Sequence, residues 1–270
     1  MKDDHFLEVR NRTVRKANEL IQKSRFDLSL QQQKIVLYLI SQITPYDEDF
    51  KEYEFSINEF CKVCGIDNEN GGNYKYLKET IKKIYDKSMW VTIIKNGKEV
   101  DKPIRWIQEP QIIKQDGIIK MRLDEDMKPF LLHLKKNFTS YEILWTLHFR
   151  SKYTIRLYEL IKSIHFHELE TYKRRFDLDD LKRMLEGERY KEYKGFKRRI
   201  LIPAVKEINE YSDKNVTVEE IKSGQRVAAI EFTVSSKDSL EAVRIRSEIE
   251  KEFGLNQLTL WEQLEEKGLV

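Results

Sequence analysis

Four short blocks of sequence recur in the same order about 120 residues further along, and a repeat of that length limits the fold to two copies of one small unit. The first set is Leu37-Tyr38-Leu39-Ile40, Phe55-Ser56-Ile57-Asn58-Glu59-Phe60, Tyr74-Lys75-Tyr76-Leu77-Lys78-Glu79-Thr80-Ile81 and Val91-Thr92-Ile93. The second is Leu157-Tyr158-Glu159-Leu160, Phe176-Asp177-Leu178-Asp179-Asp180-Leu181, Tyr193-Lys194-Gly195-Phe196-Lys197-Arg198-Arg199-Ile200 and Val216-Thr217-Val218. The offsets stay between 119 and 125 residues, so order, spacing and composition repeat together. At 270 residues the chain can hold two such units, each with its own core.

Charged residues make up 35% of the chain, yet the net charge is only +3. A surface for a polyanion must therefore come from local clustering rather than overall basicity. Such a cluster is present: Arg189 to Lys206 holds seven Lys or Arg against the single acidic Glu192. From Asp238 onward the balance reverses, with eight acidic and four basic residues. No run approaches the roughly 20 apolar residues needed to cross a bilayer, and the start Met1-Lys2-Asp3-Asp4 is no secretory signal. A cytoplasmic protein with no membrane partner is expected. Cys61 and Cys64 form one C-x-x-C without the second ligand pair that a structural zinc site needs. They read as two reduced thiols on a short helix, one of them facing the core, and neither a metal nor another cofactor is expected.

The local patterns give both copies the same plan. The first 25 or so residues, with Arg10, Arg12, Arg15 and Lys16, read as a loose arm or short helix. Apolar residues from Leu28 to Ile43 follow a helical period ended by Thr44-Pro45. Ser56-x-x-Glu59 is a capping-box signal for a short second helix closed by Gly65. A third helix, about Tyr74 to Ser88, turns Leu77, Ile81, Ile84 and Tyr85 inward and Lys75, Lys78, Lys82 and Lys83 outward. The period then changes to two, and Asn96-Gly97 and Asp116-Gly117 mark two hairpins. Three helices followed by a hairpin is the order of a winged helix, a helix-turn-helix variant. The second copy repeats it, with helices at Tyr153 to Ser163, Leu178 to Leu185 and about Lys194 to Ser212, and a hairpin turning at Ser223-Gly224. The expected fold class is α+β: an N-terminal winged helix over 1–135, a C-terminal one over 136–237 and an acidic tail over 238–270. Residues around Lys135 to Tyr141 read as the link.

On the long second-copy helix, Phe196, Ile200, Leu201, Ala204, Val205, Ile208 and Tyr211 share one side. The other side carries Arg198, Arg199, Ile202, Lys206 and Asn209, with Lys194 and Lys197 flanking its start. That mixture suits a DNA major groove. Arg can meet guanine bidentately, Asn can meet adenine, an aliphatic such as Ile202 can meet a thymine methyl, and Lys suits phosphates. Pro203 inside the helix predicts a kink. Lys222 and Arg226 at the hairpin tip can reach a neighbouring phosphate or the minor groove. The exposed face of the equivalent first-copy helix has Lys75, Lys78 and Lys82 but no arginine, which suits phosphate gripping or pairing with a second copy.

Over about residues 12–236 the chain resembles the iteron-binding replication initiators (Rep proteins) of theta-replicating bacterial plasmids. The most specific passages are Ser151-Lys152-Tyr153-Thr154-Ile155-Arg156-Leu157-Tyr158-Glu159-Leu160 and Phe196-Lys197-Arg198-Arg199-Ile200-Leu201-Ile202-Pro203-Ala204-Val205-Lys206-Glu207-Ile208-Asn209, supported by Leu28-Ser29-Leu30-Gln31-Gln32-Gln33-Lys34. The resemblance implies two winged helices in tandem, the second making the main base contacts to repeated double-stranded origin sites. The first would grip phosphates and form much of a dimer interface during autorepression. Arg198, Arg199 and Lys206 would be base or phosphate contacts, with Lys152 and Arg156 backing them on phosphate. Such proteins are not enzymes; they bend and help melt DNA, and recruit the host replicative helicase and chromosomal initiator.

Two other readings compete. A transcriptional repressor built from the same domains would bind a promoter palindrome rather than tandem repeats. A metal-dependent rolling-circle nicking enzyme would use His165-Phe166-His167 as ligands and Tyr211 of Tyr211-Ser212-Asp213-Lys214 as nucleophile. In the tail, Gln257-Leu258-Thr259-Leu260-Trp261 resembles the pentapeptide that docks many bacterial replication proteins into the sliding clamp. Gln257 would be the polar anchor, with Leu258, Leu260 and Trp261 entering an apolar pocket. Alternatively, Ile249, Phe253, Leu258, Leu260 and Leu264 pack a terminal helix on the body.

Overall fold

The computed structural model describes residues 12–64, 73–164 and 170–252, and the chain divides between Ile143 and Leu144 into two compact units. The first unit runs β1 (Thr13–Ala17), α1 (Asn18–Lys23), α2 (Leu30–Ile40), β2 (Tyr53–Ser56), α3 (Ile57–Cys64) and α4 (Asn73–Tyr85). It continues with β3 (Ser88–Lys95), β4 (Lys98–Arg105), β5 (Ile107–Ile113), β6 (Ile118–Leu123), α5 (Lys128–Leu131) and β7 (Phe138–Glu142). The second unit runs α6 (Leu144–Leu147), α7 (Lys152–Ser163), β8 (Thr171–Asp177), α8 (Leu178–Met184), α9 (Tyr193–Phe196), α10 (Ile202–Tyr211), β9 (Lys214–Ser223), β10 (Arg226–Ser236) and α11 (Ser239–Glu252).

The two units share one design. Each winged helix has as its first long helix a buried one opened by a serine. Ser29 caps α2 in a reciprocal box with Gln32, and Ser151 Oγ accepts from the Tyr153 amide at the start of α7. Each then packs its helices on a three-stranded antiparallel sheet, ordered β2-β6-β5 in the first unit and β8-β10-β9 in the second. Aromatic clusters fill the space between: Tyr38, Phe55 and Phe60 in one, Phe176 against Phe232 in the other. Both units are winged helices, as the repeat predicts.

Several local expectations need correction. The sheets show that β5 and β6 form the first unit's wing, whereas β3 pairs along its length with β4 in a separate hairpin. The fourth repeat block therefore does not correspond: Val91-Thr92-Ile93 lies in that extra hairpin, and the counterpart of β9 is β5. Both hairpin signals hold, since Asn96, Gly97 and Gly117 all adopt positive φ at their turns. The expected loose arm includes β1, and the expected link includes β7. They pair antiparallel, Thr13 opposite Glu142, and so sit in the first unit. A partner 121 to 129 residues away leaves no periodicity in either short strand. Tyr85, predicted to face inward, is exposed, with Arg105 lying 5.5 Å over its ring.

Cys61 and Cys64 are both buried rather than one of them, and burial pushes the Cys61 thiol up to about 11. The first part of the acidic tail is helix α11, which buries Ile245 and Ile249. Ser56 ends β2 directly before α3, while Gly65 lies outside the described residues, as do Arg10, His165, His167, Gln257, Leu258, Leu260 and Trp261. Among the described residues no helix is long and apolar enough to cross a membrane.

Candidate nucleic-acid interface

In the second unit the third helix is composite: α9, then a π-helical turn over Lys197–Leu201, then α10. Proline explains the turn. Pro203 has no amide proton, and its ring crowds the carbonyl four residues earlier. The Ile202 amide instead donates to the Lys197 carbonyl, five residues back. The kink expected at Pro203 thus takes the form of one wide turn that carries both arginines.

One side of this helix is anchored by Phe196, Ile200, Leu201, Ala204, Val205 and Ile208, all buried as predicted. Tyr211 is only half-buried. The opposite side presents Lys194, Arg198, Arg199, Ile202 and Lys206 to solvent, with Ile202 42% exposed. Lys222 and Arg226 stand exposed beside the β9–β10 turn at Gly224. The side chains of Lys194, Arg198, Arg199, Lys206, Lys222 and Arg226 make no hydrogen bond or ion pair with other described residues. Their donors remain available to a ligand. Guanidinium forks on one helix face, flanked by lysines and an exposed aliphatic, can read base edges and hold phosphates.

Other predicted contacts are used inside the protein. Asn209 and Val216 bond reciprocally: the Val216 amide donates to Asn209 Oδ1 (2.6 Å), and Asn209 Nδ2 donates to the Val216 carbonyl (2.9 Å). The side chain expected to meet adenine instead joins α10 to β9. Arg156, expected on phosphate, is 5% exposed and donates to the Met184 carbonyl (3.3 Å). Its helix is covered on every side from Thr154 to Ile161, so even its charged residues turn inward. Lys152 pairs with Glu186 at 2.8 Å under largely buried conditions. Lys197 Nζ donates to Glu220 on β9 (2.6 Å), which also accepts from the Tyr193 hydroxyl (2.8 Å). The Lys197 bond, then that from Tyr193, holds the Glu220 carboxyl below its ordinary range.

The base of the helix is fixed by charge. Asp213 accepts from Tyr158 (2.7 Å) and Lys162 (3.0 Å) on α7, with Lys214 3.7 Å away. Burial alone would raise its carboxyl, but the charges of Lys162 and Lys214 and the bond from Tyr158 hold it below the ordinary value. The tyrosine of the nicking reading has its hydroxyl on Glu210 (2.7 Å) and its ring 4.1 Å from His148.

In the first unit, α4 exposes Lys75, Lys78 and Lys82, as the helical pattern predicts, and Lys82 pairs with Asp86. Between α4 and β5 runs a groove of about 750 Å³ whose walls include Tyr74, Lys78, Tyr85 and Lys114. The structure also adds a basic run that the sequence reading passed over: Lys173, Arg174 and Arg175 are exposed on β8. The signal is the consecutive Lys-Arg-Arg, which lies on a strand and so falls outside the helical faces that periodicity marks.

Comparison with known proteins completes the picture. Residues 13–162 match a family model described as "Initiator Replication protein, WH1", and residues 177–234 match one described as "Initiator Rep protein, WH2". A curated "Replication initiation protein" of Escherichia coli is 26% identical over 237 residues, covering 85% of this chain and 72% of that protein. The fold resembles that of a Pi initiator protein solved in complex with iteron DNA, with a TM-score of 0.65 at 21% identity, covering 85% of this chain and 99% of that one.

Proposed function

The chain belongs to the initiator replication protein (Rep) family, whose two winged-helix domains it carries in order, and we propose that it initiates plasmid replication by binding repeated double-stranded origin sites. The observation that carries this reading is the set of cations around Ile202 on the second unit's third helix that pair with no other described residue. Arg198 and Arg199 read bases, while Lys194, Lys206, Lys222 and Arg226 hold phosphates. Bound protein melts the adjacent duplex without enzymatic chemistry, then recruits the host helicase and chromosomal initiator in the cytoplasm. Footprinting on DNA flanking the gene tests this directly. Protection of tandem repeats beside an AT-rich segment supports an initiator, whereas protection of one promoter palindrome alone would favour a repressor.

The first unit grips phosphates through Lys75, Lys78 and Lys82. Lys78→Ala is expected to weaken binding to all duplexes alike and to flatten the slope of log affinity against log salt by about one. A change confined to one sequence would remove that role. The same unit also supports self-association, because the extra hairpin exposes Trp90 (56%) and Ile94 (63%) on one face. Sedimentation should show dimers that Trp90→Lys with Ile94→Lys converts to monomers; dimers unaffected by the double change would place the interface elsewhere.

A further inference from the structure

The two copies place the same pair of side chains at the start of the third helix and then treat it differently. Tyr74 and Lys78 in the first unit correspond, through the repeat, to Tyr193 and Lys197 in the second, four residues apart in both. In the first unit the wing offers a cation: Lys114 Nζ lies 4.8 Å over the Tyr74 ring, and the Lys78 side chain makes no hydrogen bond or ion pair with other described residues. In the second unit the wing offers a carboxylate, and Glu220 takes both the Lys197 ammonium and the Tyr193 hydroxyl. A carboxylate two residues from the tip cation Lys222 faces a polyanion at a Coulombic cost. That cost must be offset by something the pairing does.

We infer that Glu220 is a specificity-determining positioning residue. It holds Lys197 off the phosphate backbone and ties the wing to the first turn of the reading helix, so that fewer sequence-independent contacts compete with those of Arg198 and Arg199. The inference rests on the second unit binding DNA through this helix. In the specific complex the arginines fix the register of the helix, whereas in non-specific complexes the helix can settle wherever a freed Lys197 meets a phosphate, so withdrawing that cation lowers non-specific binding most. The bonds across Glu220 also fix the orientation of the π-helical turn that follows, on which the two arginines stand.

The test compares the full chain with Glu220→Gln, using a duplex the protein selects from a random pool and a scrambled duplex of the same length. Glu220→Gln frees Lys197 and is expected to tighten binding to the scrambled duplex about fivefold at physiological salt, steepening the salt slope by about one. The preference for the selected duplex should fall. Adding Lys197→Met to Glu220→Gln should return the slope to its original value, which a general loosening of the fold could not do. An unchanged slope in Glu220→Gln, or a steepened slope that persists in the double variant, overturns the inference. Arg198→Ala serves as the control. If it leaves the preference intact, the proposed DNA-reading surface itself is wrong and the role of Glu220 falls with it.

Discussion

Replacing Arg198 and Arg199 together by alanine is expected to reduce discrimination between the selected and scrambled duplexes by about two orders of magnitude or more, because each bidentate arginine–guanine contact contributes roughly 1–3 kcal/mol of discrimination. Residual binding should persist, since Lys194, Lys206, Lys222 and Arg226 remain exposed for phosphates. Thermal stability should barely change, because both side chains are exposed and make no hydrogen bond or ion pair with other described residues. Competition binding at fixed salt, with unfolding measured in parallel, checks all three. A uniform loss on both duplexes would mean that the arginines grip the backbone and that bases are read elsewhere, the exposed Lys173-Arg174-Arg175 run on β8 being the next place to look.

The second large effect lies under the helix rather than on it. Asp213→Asn is expected to destabilise the protein by about 2–3 kcal/mol at neutral pH, because it leaves Lys162 and the nearly inaccessible Lys214 without their carboxylate. The folded carboxyl lies below the ordinary Asp value of 3.8, so its contribution is fully present above that value and is lost as the pH falls through the lower folded one. The gap between wild type and variant in urea unfolding should therefore be widest at neutral pH and should close only in strong acid. A gap independent of pH would show that packing around residue 213, and not its charge, supports the helix. DNA affinity should fall as well, since Asp213 joins the end of α10 to Tyr158 and Lys162 on α7.

How much could be read from the residues alone depended on how far away each partner lay. The α4 lysines and the outward face of the second unit's third helix follow from helical period, because the same apolar residues that anchor a helix dictate what its other side shows. Hairpin turns were equally legible, since Asn-Gly and Asp-Gly specify a positive-φ turn locally. Asn209, Arg156, Lys152 and Lys197 make bonds inside the protein that the sequence does not announce, for one shared reason. Their partners are Val216, Met184, Glu186 and Glu220, which folding brings against them from other elements. The fourth repeat block failed similarly: a Val-Thr-Ile strand looks alike in a wing and in an extra hairpin, and only pairing tells them apart.

Sequence by itself determined the duplication, the winged-helix order of each copy and the outward face bearing Arg198, Arg199, Ile202 and Lys206. These depend on periodicity and on turn chemistry, both of which act within a few residues. Tertiary structure decided which cations stand exposed without a partner among the described residues and which are held by the protein. That choice depends on carboxylates and carbonyls contributed by other strands and helices, which no pattern within a few residues of a side chain can announce.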